Sequence, residues 1–534
     1  MNSRTEPVIL PMGDRAILVQ TESLDDVLTL HGRLEASRPA GVIDLVPAAR
    51  TVLVRVDPAV LSLAAARSWV VRAGADAART LARDTRLVDL DVIYDGADLD
   101  GTAALLGITP EELVRRHSSA EWTVAFTGFA PGFGYLVSSD WDIDVPRLET
   151  PRTRVPRGAV GLAAGFTGAY PRETPGGWRV IGTTDALLFD PEAERPALLA
   201  PGTRVRFRAV GRRTSTGHHT DTGSFGADPP VSVRSPGPAL NEMTDAAAFR
   251  VLEPGLLATV QDLGRPGSAA LGVAPSGALD RGALRLANRL LGNAEGAAAI
   301  EVTMGGLRAV AARDLWFAVT GAWGSITLDG APVDPFEAHL WPDGAELELD
   351  WFDHGTRAYL AVRGGVDAPR ALGSRSTDVM AGLGPARLRA GDALAVGPDM
   401  VGSIPAAGVA PWGAPHDDEI VVELAPGPRA DWFAASAHAV LFESIWTVTN
   451  DTDRVGMRLD GPELVRARDG ELPSEGMVTG ALQVPPSGRP TILLADGPVT
   501  GGYPVIAVAT DASLDLLAQA RPGTRIRFRH APTR

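Results

Sequence analysis

The spacing of apolar residues changes several times along this 534-residue chain, and each change marks an element. Residues 8–19, 42–46, 52–56 and 87–93 are aliphatic, β-branched runs that read as strands. Residues 23–36 instead repeat apolar side chains every three to four positions, which predicts a helix with Ser23 as N-cap and Val27, Leu30 and Leu34 on one face. A second helix is predicted over 61–81, so the first 90 residues read as a βαββαβ layer of α+β type. His31 lies beside the apolar helix face and reads as packing. Thr109 as cap, Pro110 at the first position and Glu112 at the third open a short helix running to about His117. There the helix dipole would favour the cationic imidazole. Alternating Trp122, Val124 and Phe126 then predict a strand. Further on, segment 275–293 is amphipathic, with Leu279, Ala283, Leu286 and Leu290 on one helical face. From residue 301 onward the pattern is short strands with turn signals about every ten residues, which suits a barrel or sandwich.

Two stretches repeat. TPGGWRVIG at 174–182 is echoed by TGGYPVI at 500–506; each is followed by Thr-Asp-Ala, and nearby stand the near-identical strands PGTRVRFR at 201–208 and PGTRIRFR at 522–529. Two copies with matching neighbours indicate a repeated domain. Segment 211–245, rich in Gly, Ser, Thr and Pro and without period, reads as a linker. The expected organisation is therefore 1–90, an α+β subdomain; 91–210, a β-barrel; the linker; 246–400, a second barrel; and 401–534, a third.

Composition narrows the chemistry. With 45% hydrophobic and 22% charged residues, no uninterrupted apolar run of membrane length and no signal-peptide pattern, a cytoplasmic protein without a membrane span is expected. The formal charge of −15 argues against a nucleic-acid partner. There is no Cys, which removes thiolate nucleophiles and Cys-ligated metals, and all 50 basic side chains are Arg. The absence of Lys excludes Schiff-base chemistry, a Walker A lysine and covalent biotin on this chain. His218 and His219 have no third ligand at useful spacing, and no metal site is assigned.

Candidate chemistry concentrates in 117–182. The loop GFAPGFGYL at 128–136 packs Gly, Pro and aromatics together, as either a hydrophobic plug or one wall of a pocket. Arg147, Arg152, Arg154 and Arg157 cluster in sequence, as a solvated strand edge or as a holder of carboxylate or phosphate. His117, near that loop, is the candidate proton donor or acceptor, with Arg154 and Arg157 pairing an anionic group. In the second half the carboxylates inside motifs are Asp262, Asp280, Glu301 and Asp496, which either hold Mg2+ or cap helices and turns.

GFAPGFGYL, PRTRVPRGAVGLAAGFTGAYPRETPGGWRVIG at 151–182, TVQDLGRPG at 259–267, PSGALDRGALRLANRLLGN at 275–293, GSRSTD at 373–378 and the GALQVP and TGGYP segments together resemble a fused form of the B and C components of ATP-dependent 5-oxoprolinase. This family is also labelled allophanate hydrolase subunits one and two, and is similar to the carboxyltransferase domain of urea carboxylase. The resemblance implies a mainly β protein: cyclophilin-like β-barrels, one in the first half and two in the second, with the α+β cap at the N-terminus. It implies a component of an ATP-dependent amide hydrolase opening 5-oxo-L-proline to L-glutamate with a separate A-type subunit, using ATP and Mg2+ with that partner. It is also compatible with a biotin-dependent carboxyltransferase served by a biotinylated partner, or with a non-catalytic regulator of a histidine kinase. The substrate type is a small amide or lactam, and a homo-oligomer is left open. By motif, His117, Phe129, Pro131, Gly132, Phe133 and Tyr135 stand at the family's GF-PGF-YL positions, and Thr167, Tyr170, Pro171, Gly176, Gly177 and Trp178 at its TG-YP-PGGW positions. Phe166 replaces the usual Gln and Thr183 the usual Arg, removing polar groups from the expected pocket. The second copy is expected to serve the interface between the two halves.

Overall fold

The computed structural model describes residues 7–75, 86–211, 247–406, 413–416, 418–468, 470 and 472–532. The chain divides into two compact units, residues 82–236 and residues 1–81 with 237–534. All but one residue of the expected linker, with His218 and His219, lies outside the described residues, as does the expected end of the second helix beyond residue 75.

Within the larger unit, residues 7–75 form a four-stranded antiparallel sheet in the order Val8–Pro11, Ala16–Gln20, Thr51–Val56, Val42–Pro47, covered by helices Leu24–Ala36 and Leu63–Ala75. The first helix starts where Ser23 and Asp26 form a reciprocal capping box, and it buries Val27, Leu30 and Leu34 as the spacing predicts. Two details differ from the expected βαββαβ order. The apolar run 8–19 folds back on itself around Gly13, whose φ of 77° few other residues adopt, so it supplies two strands instead of one. The strand Leu87–Val92 does not join this sheet and belongs to the smaller unit.

The smaller unit is a seven-stranded sheet in the order Arg179–Thr183, Ala159–Ala163, Phe166–Ala169, Gly134–Val137, Trp122–Thr127, Arg204–Ala209, Leu87–Val92. A bridge between Ile93 and Thr183 joins its two edges, closing it into a barrel around Trp122, Val124, Leu162, Ile181 and Phe207.

The carboxy-terminal half contains two β-domains. In the first, a seven-stranded and a five-stranded sheet enclose Phe249, Phe317, Trp341 and Leu360. Helix Arg281–Leu290 covers the other face of the five-stranded sheet, packing Leu284 and Ala287 against Tyr359 and Ala361. Strand His354–Val362 therefore buries both faces, Ala358 and Leu360 toward one core and Tyr359 and Ala361 toward the other. The second domain is a closed seven-stranded barrel that includes Glu419–Pro426, Ile445–Thr452, Gly456–Asp460 and Arg525–His530. Its outer surface shares an apolar cluster with the amino-terminal sheet, where Met12, Leu18 and Leu53 meet Met477, Val505 and Val508. The second copy of the repeat thus packs on residues of the first half, as the sequence led one to expect.

The repeat is visible in topology. PGTRVRFR becomes Arg204–Ala209, parallel to Leu87–Val92 and antiparallel to Trp122–Thr127; PGTRIRFR becomes Arg525–His530, parallel to Glu419–Pro426 and antiparallel to Ile445–Thr452. In each barrel a short helix precedes a buried Trp whose indole N–H donates to a carbonyl five residues earlier, Trp122 to His117 at 3.0 Å and Trp446 to Leu441 at 3.1 Å.

Candidate functional sites

His117 is the last buried side chain of helix Pro110–Ser119, which starts at Thr109, whose hydroxyl accepts from the Glu112 N–H. The imidazole is fully buried among Trp122, Trp141 and Phe207, with its ring 4.5 Å from that of Phe207. Both nitrogens are partnered: Nδ1 with the Tyr94 hydroxyl at 2.7 Å and Nε2 with Thr167 Oγ1 at 2.8 Å, while Thr167 Oγ1 itself donates to the Gly161 carbonyl at 3.2 Å. Burial lowers the imidazole pKa to about 3. The cationic form expected from the helix dipole is therefore absent at neutral pH, because a dipole worth about 0.3–1 kcal/mol cannot offset the desolvation of a buried charge. Since Thr167 donates its only proton to Gly161, the hydrogen-bond pattern implies a proton on Nε2, leaving Nδ1 to accept from Tyr94.

The motif aromatics form a separate cluster. Phe133 packs edge-to-face on Tyr170 at 5.0 Å and Trp178 at 5.2 Å; Tyr135 stacks on Phe126 at 4.4 Å and meets Phe166 and Trp178. Burial raises the Tyr135 and Tyr170 phenols to about 12. Phe129 is 45% exposed at a φ of 65°, and Pro131-Gly132 turns the loop beneath it. Gly176 packs so close to Tyr170 that a Cβ there would stand 2.6 Å from the phenol oxygen, and the adjoining Gly177 carbonyl accepts from the Leu148 N–H at 2.8 Å.

Strand Thr174–Gly176 pairs with Arg152–Val155, so the PGG segment and part of the Arg cluster share a small sheet. The cluster itself divides. Arg152 makes two hydrogen bonds to Asp98, at 2.7 and 2.8 Å, and Asp98 also accepts from the Val180 N–H. Arg154 is exposed and pairs with Glu173 at 2.6 Å, and Arg157 is exposed in the next turn. Neither touches His117, whose nitrogens are taken by Tyr94 and Thr167. An open depression in this unit lies elsewhere, lined by Arg86, Leu187, Glu194 and Arg195.

The carboxylates of the second half do converge. Glu301 lies opposite Tyr359 on adjacent strands and accepts from its hydroxyl at 2.7 Å, from the Leu279 N–H at 3.1 Å and from Arg454 at 2.6 Å. Arg454 also donates to Asp496 at 2.8 and 3.1 Å and to the Gly277 carbonyl. Burial pushes the Glu301 carboxyl upward, but Arg454, Arg357 and the Tyr359 hydroxyl outweigh it and hold the pKa below its ordinary value. Asp280 caps helix Arg281–Leu290 by accepting from the Ala283 N–H at 2.8 Å, and Gln519 of the neighbouring barrel donates to its other oxygen at 2.7 Å. Burial, with Asp515 nearby, raises the Asp280 pKa to about 7. Asp262 accepts from the Ser374 and Ser376 hydroxyls and the Arg375 and Gly264 N–H groups. These carboxylates are committed to protein partners, and no group of three or more His, Cys, Asp or Glu that could hold a metal occurs among the described residues.

Sequence reasoning did not single out Tyr94, Tyr359, Arg357, Arg454 or Gln519. Only for Arg454 was there a signal, because the duplication aligns its hairpin, between Ile445–Thr452 and Gly456–Asp460, with the GFAPGFGYL hairpin.

Residues 7–199 match the family described as carboxyltransferase domain, subdomain C and D, and residues 271–530 match subdomain A and B of that domain. Over 285 residues the chain is 38% identical to the C component of 5-oxoprolinase from Escherichia coli K12, covering 52% of this chain and 90% of the relative. The chain belongs to the carboxyltransferase-domain family. This carboxyltransferase-domain chain is also 46% identical over 127 residues to the B component of 5-oxoprolinase from Escherichia coli O157:H7, covering 23% of this chain and 58% of that one. The crystal structure of TTHA0988 superposes with a TM-score of 0.82 at 36% identity, covering 96% of this carboxyltransferase-domain chain and 99% of that protein. Among the described residues, no helix is long and apolar enough to cross a membrane.

Proposed function

We propose that this chain combines the B and C components of a 5-oxoprolinase, acting with a separate A-type subunit to convert 5-oxo-L-proline, ATP and water to L-glutamate. The observation that carries the reading is that this one chain is similar both to a B component and to a C component of 5-oxoprolinase. A five-membered lactam resists hydrolysis, and phosphorylating its carbonyl oxygen turns that oxygen into a leaving group, which accounts for an ATP requirement. ATP and Mg2+ are assigned to the A-type partner, since Asp262, Asp280, Glu301 and Asp496, the motif carboxylates of this chain, already accept from protein donors.

In this reading the exposed Arg154 and Arg157 pair the substrate carboxylate, and the aromatic wall of Phe129, Phe133, Tyr170 and Trp178 shields its ring from water. His117 acts through its partners: neutral imidazole accepts from the Tyr94 hydroxyl and donates to Thr167, so it fixes the direction of both hydroxyl groups. Mixing the purified chain with an A-type subunit, 5-oxo-L-proline and ATP should yield glutamate. No glutamate from two folded, associated partners would remove this reading.

The family description itself favours a second reading, transfer of a carboxyl group to a small amide. Lacking Lys, this chain would take the carboxyl group from a biotinylated partner. Carboxylation of urea with a biotinylated carrier, in the absence of any A-type subunit, would select it.

A further inference from the structure

Three layers of the larger unit meet around Arg265: the amino-terminal sheet, the QDLGRPG segment of the first β-domain in the carboxy-terminal half, and the closing barrel. Between them lies a cavity of about 20 Å3, lined by Asp44, Arg55, Arg265 and Thr479 among mostly apolar side chains such as Leu53 and Met477. That volume admits one water-sized occupant.

The polar groups on the wall are unevenly served. Arg265, 2% exposed, spends one nitrogen on the Ser376 carbonyl, while its Nε and Nη1 have no acceptor. Arg55 Nε stands 3.0 Å from Asp44 Oδ2 without the alignment of a hydrogen bond. Asp44 is itself engaged, its Oδ1 accepting the Ala269 N–H at 3.2 Å. The wall thus has donors left over and is short of acceptors. A buried guanidinium in that state is costly unless an occupant accepts from it.

Charge on the wall decides which occupant fits. Asp44 offsets Arg55, so the charge of Arg265 has no counter-ion inside the cavity. Burial lowers the Arg265 pKa, and Asp378, Asp262 and Asp496 oppose that pull, but none of the three lines the cavity or gives Nε or Nη1 an acceptor. Burial also depresses the pKa of Arg15 and of Arg281, and the charge of Arg55 adds to the effect in both, so positive charge collects at this junction. A water molecule could accept from Arg265, but its own two protons would face a wall whose one carboxylate is already taken. A halide ion only accepts, and it carries the charge that is missing.

We propose that this cavity binds one halide ion, chloride under ordinary conditions, which accepts from an unpaired nitrogen of Arg265 with Arg55 beside it. Because the wall is drawn from all three layers, the ion fastens the amino-terminal sheet and the barrel to the QDLGRPG segment, and its binding is linked to the stability of their packing. The site is independent of the reaction proposed above.

Two measurements on the full chain test it. Crystals in which bromide replaces chloride should give an anomalous peak in the cavity beside Arg265. In solution, above the dissociation constant, each tenfold rise in chloride should raise the melting temperature by about 1–2 °C, whereas gluconate at equal ionic strength should not. A folded Arg265→Gln variant should lose that dependence. An empty or water-filled cavity in bromide overturns the site, as does an equal response to gluconate. A bromide peak without chloride-dependent melting means binding at crystal concentration only and overturns it too. A folded Arg265→Gln that keeps the full chloride response places the effect elsewhere; should that variant fail to fold, the two wild-type measurements decide.

Discussion

The two copies of the repeated barrel solve one packing problem with different chemistry. Each ends a short helix against a Trp and a Phe, Trp122 and Phe207 in one, Trp446 and Phe528 in the other, and each Trp donates to the carbonyl five residues before it. At that position one copy has Leu441, fully buried in an apolar core, and the other has His117, equally buried and hydrogen-bonded on both nitrogens. The barrel thus needs only an apolar residue there, and the imidazole is an addition the fold does not require. The hairpins after the Trp strands differ in the opposite sense. GFAPGFGYL carries aromatics, while the corresponding turn of the second copy carries Arg454 into a buried ion network with Glu301 and Asp496. One copy keeps its buried polar group neutral; the other keeps buried charges paired.

The largest effect expected from breaking this contrast is at Arg454. Arg454→Met leaves Asp496 buried without its hydrogen-bonded cation and Glu301 with only Arg357, 3.8 Å away, and should cost about 3–5 kcal/mol in denaturant unfolding; a loss below about 1 kcal/mol would show that the network is not desolvated. Leu441→His places an imidazole where its own barrel supplies only apolar neighbours, and roughly 2–3 kcal/mol should be lost. The reverse exchange, His117→Leu, orphans the Tyr94 hydroxyl and should cost about 1–2 kcal/mol. Glutamate formation with the A-type subunit should fall far more than stability does, and an unchanged rate would reduce His117 to packing.

The pH dependence sharpens the same comparison. His117 has a folded pKa of about 3, below the ordinary value, so the unfolded chain binds the proton more readily. Its stabilisation is complete above pH 6.5 and is lost as pH falls toward 3. Asp280, raised to about 7, has the opposite sign: the folded state favours the protonated carboxyl, and its contribution is lost as pH rises from about 4 through 7. Hydrogen exchange followed unit by unit should show 86–211 loosening toward acid and the Asp280 helix loosening toward neutral pH, and His117→Leu should flatten only the former. The smallest change is expected for Arg154→Ala, whose pair with Glu173 is exposed; stability should shift by less than about 0.5 kcal/mol, while KM for 5-oxo-L-proline rises if Arg154 meets the substrate.

What residue order alone determined is local or repeated. The helix behind Ser23, the Thr109 cap, the alternating strand from Trp122 and the duplication of PGTRVRFR as PGTRIRFR are set by spacings of a few residues, and the structure contains each of them. The motif strings also marked the family, because several of them occur in one order. What only tertiary structure decided depends on groups far apart in the chain. Strand Leu87–Val92 has the same apolar alternation whichever sheet it joins, and its partner lies over a hundred residues later, at Arg204–Ala209. His117 had a helix-end position that favours charge, but Thr167 and the burying aromatics, which make it neutral, come from other elements. The four Arg of 147–157 look alike in sequence, yet Asp98 occupies Arg152 while Arg154 and Arg157 remain exposed. Glu301, Arg454 and Asp496 meet across more than 150 residues. Periodicity records which face of an element is buried; the burial of a charge, its partner and therefore its protonation state are properties of the packed interior alone.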